Sequence, residues 1–283
     1  MQERKSIDGR ATGLMIILCA IWSLQQITLK ASAPDMAPTL QIAIRSGLSM
    51  LMVGALLVSR KEPILVGNAW KPGILAGVLF AVEYLLAGEG LRFTSASHMV
   101  VFLYTAPGFT ALGLHFFIPE ERLRPVQWAG MGLAFVGIIL AFYDSSPGGE
   151  GFSGSMLFGD LLGLLAGLCW GATTVVIRCT SLSEIPAKHT LLYQLAGAFV
   201  ILTVASVVGG HMDFRLTPEV WGSLFFQTVI VSFASFLAWY WLLRFYLASI
   251  LSVLSFLTPV FGIIFGVLLL NDFWPGRRWL SSA

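Results

Sequence analysis

Charge is what this sequence has least of. Charged residues make up 11% of its 283 positions, and 57% are apolar. A soluble domain carries about 25% charged residues. So few charges cannot clothe a water-facing surface, whereas a lipid bilayer removes the need for one. The net charge of +2 leaves no basic patch, so no nucleic-acid partner is expected. Cysteine is equally sparse. Cys19, Cys169 and Cys179 lie in or beside apolar runs, with neither metal-ligand spacing nor a paired framework. His98, His115, His189 and His211 sit mostly near the ends of those runs and read as structural. The sequence has no phosphate-cradling glycine loop with Lys and Ser/Thr and no His-Glu-x-x-His. No cofactor and no metal is expected, and the chain alone is not expected to pump with ATP. One motif imitates an enzyme. Gly151-Phe-Ser153-Gly154 resembles the nucleophile segment of membrane serine proteases, but it sits in a Gly-rich stretch that shelters nothing.

What the sequence has instead is long apolar runs. A membrane helix needs roughly 20 such residues. Nine runs qualify, at 12–30, 38–58, 73–92, 96–117, 126–143, 157–177, 189–208, 220–243 and 248–270. The first follows a polar, basic start, MQERKSIDGRATG, as a signal peptide would. It is long enough to span and no small-residue cleavage site follows it, so it reads as span 1. The connections are short, and the longest, SSPGGEGFSGS at 145–155, reads as a flexible linker between two halves. Basic residues fall unevenly on the two sides. Arg4, Lys5, Arg10, Arg60, Lys61, Lys71, Arg122, Arg124, Arg178, Lys188 and Arg244 share the N-terminal side. Lys30, Arg92, Arg215, Arg277 and Arg278 lie opposite, and Arg45 alone lies within a span. The positive-inside rule then puts the N-terminus in the cytoplasm.

The halves repeat each other. CAIWSLQQITLK (19–30) parallels GLCWGATTVVIR (167–178), with Trp22 on Trp170 and Lys30 on Arg178. LRFTSASHMVVFLYTAP (91–107) parallels LRFYLASILSVLSFLTP (243–259), with Arg92 on Arg244, Ser97 on Ser249 and Pro107 on Pro259. Glu120 falls on Asp272. Chance likeness between apolar helices matches Leu with Leu, not polar residues and helix breakers in order. The first half holds five spans, and an odd number turns the next copy upside down. The expected plan is therefore an all-α integral membrane protein of two inverted five-helix repeats, residues 1–144 and 157–283, joined by 145–156. The counterpart of span 5 would begin near residue 277, and the chain reaches only Ala283. The tenth helix is therefore expected to be missing or replaced.

The segments IWSLQQITLK, PTLQIAIRSGLSML, TSASHMVVFLYTAP, PEERLRPVQWAGMGLAFVGIIL, GDLLGLLAGLCWG and LSVLSFLTPVFGIIFGVLLLND resemble the drug/metabolite transporter superfamily, EamA type. The resemblance covers nearly the whole chain. It implies ten helices in two repeats, both termini inside, and export of amino acids or other metabolites across the bacterial inner membrane.

Ionisable groups inside a membrane are costly and mark function by default. Glu83 lies near the middle of span 3, on one helical stripe with Phe80, Tyr84 and Ala87. It reads either as an acidic group in an aromatic cavity, binding a substrate ammonium or a coupling proton, or as the structural partner of Arg45. Trp22 with Gln25 and Gln26, and Trp170 with Thr173 and Thr174, read as two facing walls. The alternative is interface anchoring, though both Trp residues lie about ten residues into their spans. Tyr104 stands one turn before Pro107. Trp239, Tyr240 and Trp241 lie nearer a helix end, where anchoring is at least as good a reading. Pro107 and Pro259 would kink spans 4 and 9. Gly163, Gly167 and Gly171, like Gly262 and Gly266, repeat every four residues, as close helix packing requires. The expected substrate-binding set is Trp22, Gln25, Phe80, Glu83, Tyr84, Tyr104, Trp170 and Thr174, in a cavity lined by spans 1, 3, 4, 6, 8 and 9. The expected function is secondary export of a small amphiphile, such as an apolar or aromatic amino acid, by alternating access. A membrane channel or receptor, or an intramembrane serine hydrolase, are the alternatives. Nothing in the sequence sets an oligomeric state.

The charge asymmetry predicts that a cysteine placed at position 66, between spans 2 and 3, resists impermeant thiol reagents added outside intact cells. Labelling from outside would reverse the orientation.

Overall fold

A computed structural model describes residues 7–94, 96–143 and 154–269. The linker, the Gly151–Gly154 motif with its Ser153, Asp272 and the stretch expected to replace a tenth helix lie wholly or largely outside these residues. The described chain is helical almost throughout: α1 (Gly9–Ala31), α2 (Pro38–Ser59), α3 (Trp70–Gly90), α4 (Ala96–Leu103), α5 (Ala106–Phe117), α6 (Pro125–Tyr143), α7 (Gly154–Cys179), α8 (Ala187–Val208), α9 (Pro218–Phe225), α10 (Phe236–Phe245), α11 (Ala248–Leu254) and α12 (Leu257–Leu269). Among the described residues, seven helices are long and apolar enough to cross a membrane. Their outer surface is apolar without cover, with Leu51, Val58, Phe116, Phe117, Leu133 and Val200 all more than half exposed. In water such a belt would aggregate, and lipid is its solvent.

Three spans depart from simple helices. Span 4 is broken at Tyr104 and Thr105 into α4 and α5, and span 9 at Ser255 and Phe256 into α11 and α12. Pro107 has no N–H to offer the Leu103 carbonyl four residues back, and Pro259 has none for Ser255. Each break opens within one turn before its proline. Span 8 runs from Pro218 to Phe245, with Phe226–Ser235 wound as a π-helix joining α9 to α10. The wide turns bring Gln227, Thr228, Val231, Ser232 and Ser235 all into the interior. Extended π-helix is rare and concentrates at functional sites.

The glycine ridge of α7 packs inside this chain, against the broken span 4. A side chain at Gly167 would stand 2.9 Å from the Leu103 carbonyl oxygen and 2.6 Å from Thr105 Oγ1. One at Gly171 would stand 2.7 Å from Phe109 Cβ. Only glycine lets α7 come close enough to cover the open turn. The contact of α3 with α8 is tighter still. A Cβ on Gly197 would lie 2.5 Å from the Gly77 carbonyl oxygen, so the two backbones touch.

The ends of the bundle form two faces. On the first, the Tyr246 hydroxyl donates to Asp8 Oδ2 at 2.9 Å and Ala11 N–H to Asp8 Oδ1 at 2.8 Å. The amide and then the hydroxyl hold the Asp8 carboxyl below its ordinary pKa. Lys188 pairs with Glu62 and holds that carboxyl low as well. On the second face, Arg215 N–H donates to the Asp35 carbonyl at 2.8 Å, and Thr94 Oγ1 donates to Asp160 at 2.5 Å.

Gly197→Val is expected to lower the melting temperature of the purified protein, because overpacking of this kind costs about 1–3 kcal/mol. Gly54→Val, where nothing stands within 4 Å, is the control and should leave it nearly unchanged. Equal melting of the two would remove the close contact.

Candidate functional site

A cavity of about 660 Å³ occupies the interior, within the range of small-molecule sites. All eight residues expected to bind substrate stand in its wall: Trp22 and Gln25 from α1, Phe80, Glu83 and Tyr84 from α3, Tyr104 at the break of span 4, and Trp170 and Thr174 from α7. Periodicity explains the α3 set, since positions three and four apart share a helical face. Proline and glycine explain the rest. The break before Pro107 turns Tyr104 inward, and the glycines of α7 bring Trp170 against it.

The aromatic rings meet edge to face. Tyr104 lies 5.3 Å from Trp170, Trp170 6.5 Å from Trp22, and Trp22 5.5 Å from Trp239, centroid to centroid. A second series runs from Tyr84 to Phe80 at 5.0 Å and on to Phe236 at 5.8 Å. Trp22 and Trp170, equivalent positions of the two halves, touch each other. The Trp22 indole N–H donates to Ser235 Oγ at 3.1 Å, a group that the π-helix delivers. Thr173 and Thr174 donate to backbone carbonyls one turn back, those of Cys169 and Trp170. Their hydroxyls are occupied, so α7 presents mainly methyl groups and the Trp170 ring.

The wall also holds residues that the sequence reading set aside. Phe236, Trp239 and Tyr240 of α10 line the cavity, with Trp239 and Tyr240 only 5% and 6% exposed. Anchoring at the membrane surface therefore describes neither. Trp241, at 47% exposure, faces outward. A mid-helix Ser-rich stretch, which winds as the π segment, was the only local hint that span 8 turns this end inward. The wall includes Pro38, Thr39 and Ile42 of α2, and among the described residues it includes none of span 9, contrary to expectation. Span 9 packs on α1 and α5 instead.

Arg45 and Glu83 do not form the expected ion pair. The described ion pairs join Arg92 to Glu89, Arg178 to Glu121 and Lys188 to Glu62. Arg45 is wholly buried behind the wall. Its Nη1 donates to Gln227 Oε1 at 2.9 Å, and its guanidinium carbon stands 4.9 Å from the centre of the Tyr84 ring. Gln227 continues a polar chain through Ser223, Gln41 and Ser32 to the second face. That chain ties Arg45 to the π segment, while its guanidinium keeps the Tyr84 ring of α3 as a neighbour. Glu83 is 7% exposed, and its Oε2 accepts no hydrogen bond.

Among the described residues, the cavity wall reaches the second face. From the aromatic layer its wall climbs through Ala33, Gly88, Glu89 and Thr94 to Arg92 on the second face, where that side chain is 59% exposed. On the first face one buried carboxylate ties three elements together. Glu121 is paired with Arg178 and accepts the backbone N–H groups of Ala248 and Ser249 at 3.1 Å each and the Ser249 hydroxyl at 2.8 Å. It thereby joins the turn after α5, the end of α7 and the start of α11. The sequence reading had counted Arg178 as a loop charge and aligned Glu120 with Asp272. In the structure Arg178 is 3% exposed, and Glu121 is the buried acid.

Comparison with known proteins follows the same lines. The description "EamA-like transporter family" matches residues 10–143 and again 157–282. The chain is 26% identical to the uncharacterized transporter YoaV of Bacillus subtilis, over 91% of this chain and 88% of that one. It is 22% identical to a probable amino-acid metabolite efflux pump of Escherichia coli, over 95% of this chain and 90% of that one. A solved crystal structure superposes with a TM-score of 0.74 over 96% of this chain and 91% of that chain, at 18% identity, and so shares the fold.

Glu121→Gln leaves Arg178 buried and uncompensated, a loss of about 3–5 kcal/mol. It should lower the melting temperature by several degrees. Arg92→Gln, which breaks the exposed pair with Glu89, should cost under about 1 kcal/mol. Similar shifts from the two substitutions would contradict the tie.

Proposed function

The chain belongs to the EamA-like transporter family, and from that premise we propose that this membrane transporter exports a small amphiphilic metabolite by alternating access, an apolar or aromatic amino acid or a similar compound. The observation that carries the substrate class is Glu83, a carboxylate with an unpartnered oxygen set among aromatic rings. The rings sandwich an apolar body and attract an ammonium through their faces, about 0.5–2 kcal/mol for each cation–π contact. Glu83 pairs with that ammonium or carries a coupling proton. The Escherichia coli relative, named as a probable amino-acid metabolite efflux pump, is in keeping with this reading.

The transport cycle we propose follows from an inverted repeat of residues 1–144 and 157–283, linked by 145–156. The packing supports it, because two of the main contacts recur when the halves are exchanged. α3 packs on α7 as the π segment of span 8 packs on α1, and α5 packs on α7 as α12 packs on α1. With the N-terminus in the cytoplasm of a bacterium, the second face is external and the face that Glu121 ties is internal. The structure then corresponds to an outward-open state, and the breaks before Pro107 and Pro259 are the flex points.

Proteoliposome uptake of labelled amino acids, with and without a pH gradient, tests the reading. Glu83→Gln is expected to reduce transport about tenfold or more, the worth of one charge-assisted hydrogen bond, with normal expression and melting. Transport that keeps both its rate and its pH dependence would reduce Glu83 to a structural residue. Conductance far above a transporter's turnover in the same liposomes would make the protein a channel.

A further inference from the structure

Arg45 presents an unfilled site. A guanidinium has five N–H donors in a fixed plane. The Nη1 end is tied to Gln227, and the guanidinium carbon stands over the Tyr84 ring. Nε and Nη2 are both buried and without a hydrogen-bond partner. These two atoms form one edge of the plane, whose parallel N–H bonds match the two oxygens of a carboxylate. Arg45 itself is 0% exposed, so bulk water does not reach that edge. Leaving such donors empty is expensive, because burial removes hydration that only a partner can replace.

The nearby opposite charge is short of a partner too. Glu83 Oε2 is buried and accepts nothing, yet the two groups do not meet as an ion pair. Adjacent residues of one helix separate them from the cavity differently. Glu83 stands in the wall, and Tyr84 stands in the wall with Arg45 behind it. Ile42, one turn before Arg45 on α2, also lines the cavity, so Arg45 stands directly behind the wall. A turn of the Tyr84 side chain would open a way to it.

From this geometry we propose that Arg45 is the carboxylate-binding residue of the transport site, uncovered by Tyr84, so that the substrate is a zwitterion held between Glu83 and Arg45. The inference rests on the amino-acid reading above and makes it narrower. A cation satisfies Glu83 alone and leaves the Arg45 edge empty. An anion does the reverse. Only a ligand with an ammonium and a carboxylate on one small frame satisfies both, with its apolar side chain among the rings. Arg45 then decides specificity, whatever Glu83 does with the proton.

Three probes of one skeleton test it on the full chain in lipid nanodiscs: phenylalanine, phenethylamine, which lacks the carboxylate, and 3-phenylpropionate, which lacks the ammonium. The readout is the concentration of each that raises the melting temperature and that competes with labelled phenylalanine in proteoliposomes. Wild type should need at least about tenfold more of the amine or the acid than of phenylalanine, since a fork-to-fork contact is lost in one case and the Glu83 contact in the other. In Arg45→Lys, which keeps the charge but not the fork, phenylalanine should weaken to the level of phenethylamine while phenethylamine is unchanged. A general structural defect would weaken both. Phenethylamine binding wild type as tightly as phenylalanine overturns the role of Arg45 without needing any variant to fold, and leaves the exporter reading in place. If none of the three acts on wild type, the zwitterion and the aromatic amino acid both fall together.

Discussion

A membrane span broken by proline needs a neighbour that covers its open carbonyls, and much of this structure follows from that need. Lipid offers no hydrogen bonds, so the Leu103 carbonyl, deprived of a partner by Pro107, must lie against protein. Gly167 brings the backbone of α7 to it, and Gly163 and Gly171 extend the contact above and below. The same approach places Trp170 beside Tyr104 and, across the midline, beside Trp22. The aromatic layer of the cavity is thus a consequence of how a broken helix is accommodated. Span 9 repeats the break before Pro259, with α1 as the covering helix.

Charge is scarce, so each buried charge carries information in whether it is satisfied. Glu121 is surrounded: Arg178, two backbone amides at the start of α11 and the Ser249 hydroxyl use its oxygens. A carboxylate so fully bound stabilises only the arrangement that supplies those donors. Arg45 and Glu83 are the opposite case, each buried and each with polar atoms unmatched. Incomplete satisfaction is a cost to the resting protein, and it is the condition for a ligand to add something. The contrast is between a carboxylate whose two oxygens the fold occupies and one that it leaves with an open oxygen.

The π-helical middle of span 8 links the two. Its wide turns point Gln227 at Arg45 and Ser235 at Trp22, and then pass into α10 with Phe236, Trp239 and Tyr240 facing the cavity. Positions 227, 231 and 235 stand four apart and share one face, so span 8 carries both the tether of the buried arginine and one aromatic wall.

The helices, their order and the repetition of the halves were legible in the residues, because apolar length, proline and glycine act locally and a duplicated sequence is visible at any distance. The inward stripe of α3 was legible for the same reason, since periodicity along one helix fixes which side chains share a face. Which side chains meet across helices was not. The sequence suggested that Arg45 could pair with Glu83, and the structure instead ties it to Gln227, 182 residues away. It marked Glu120 and treated Arg178 as a loop charge, and the structure buries Glu121 with Arg178. It left Trp239 and Tyr240 open between surface anchoring and the interior, and the structure sets both in the cavity wall. Pairing between distant positions depends on the rotation and depth of each helix against its neighbours. Those are settled by packing of the whole bundle, and no local pattern in the chain encodes them.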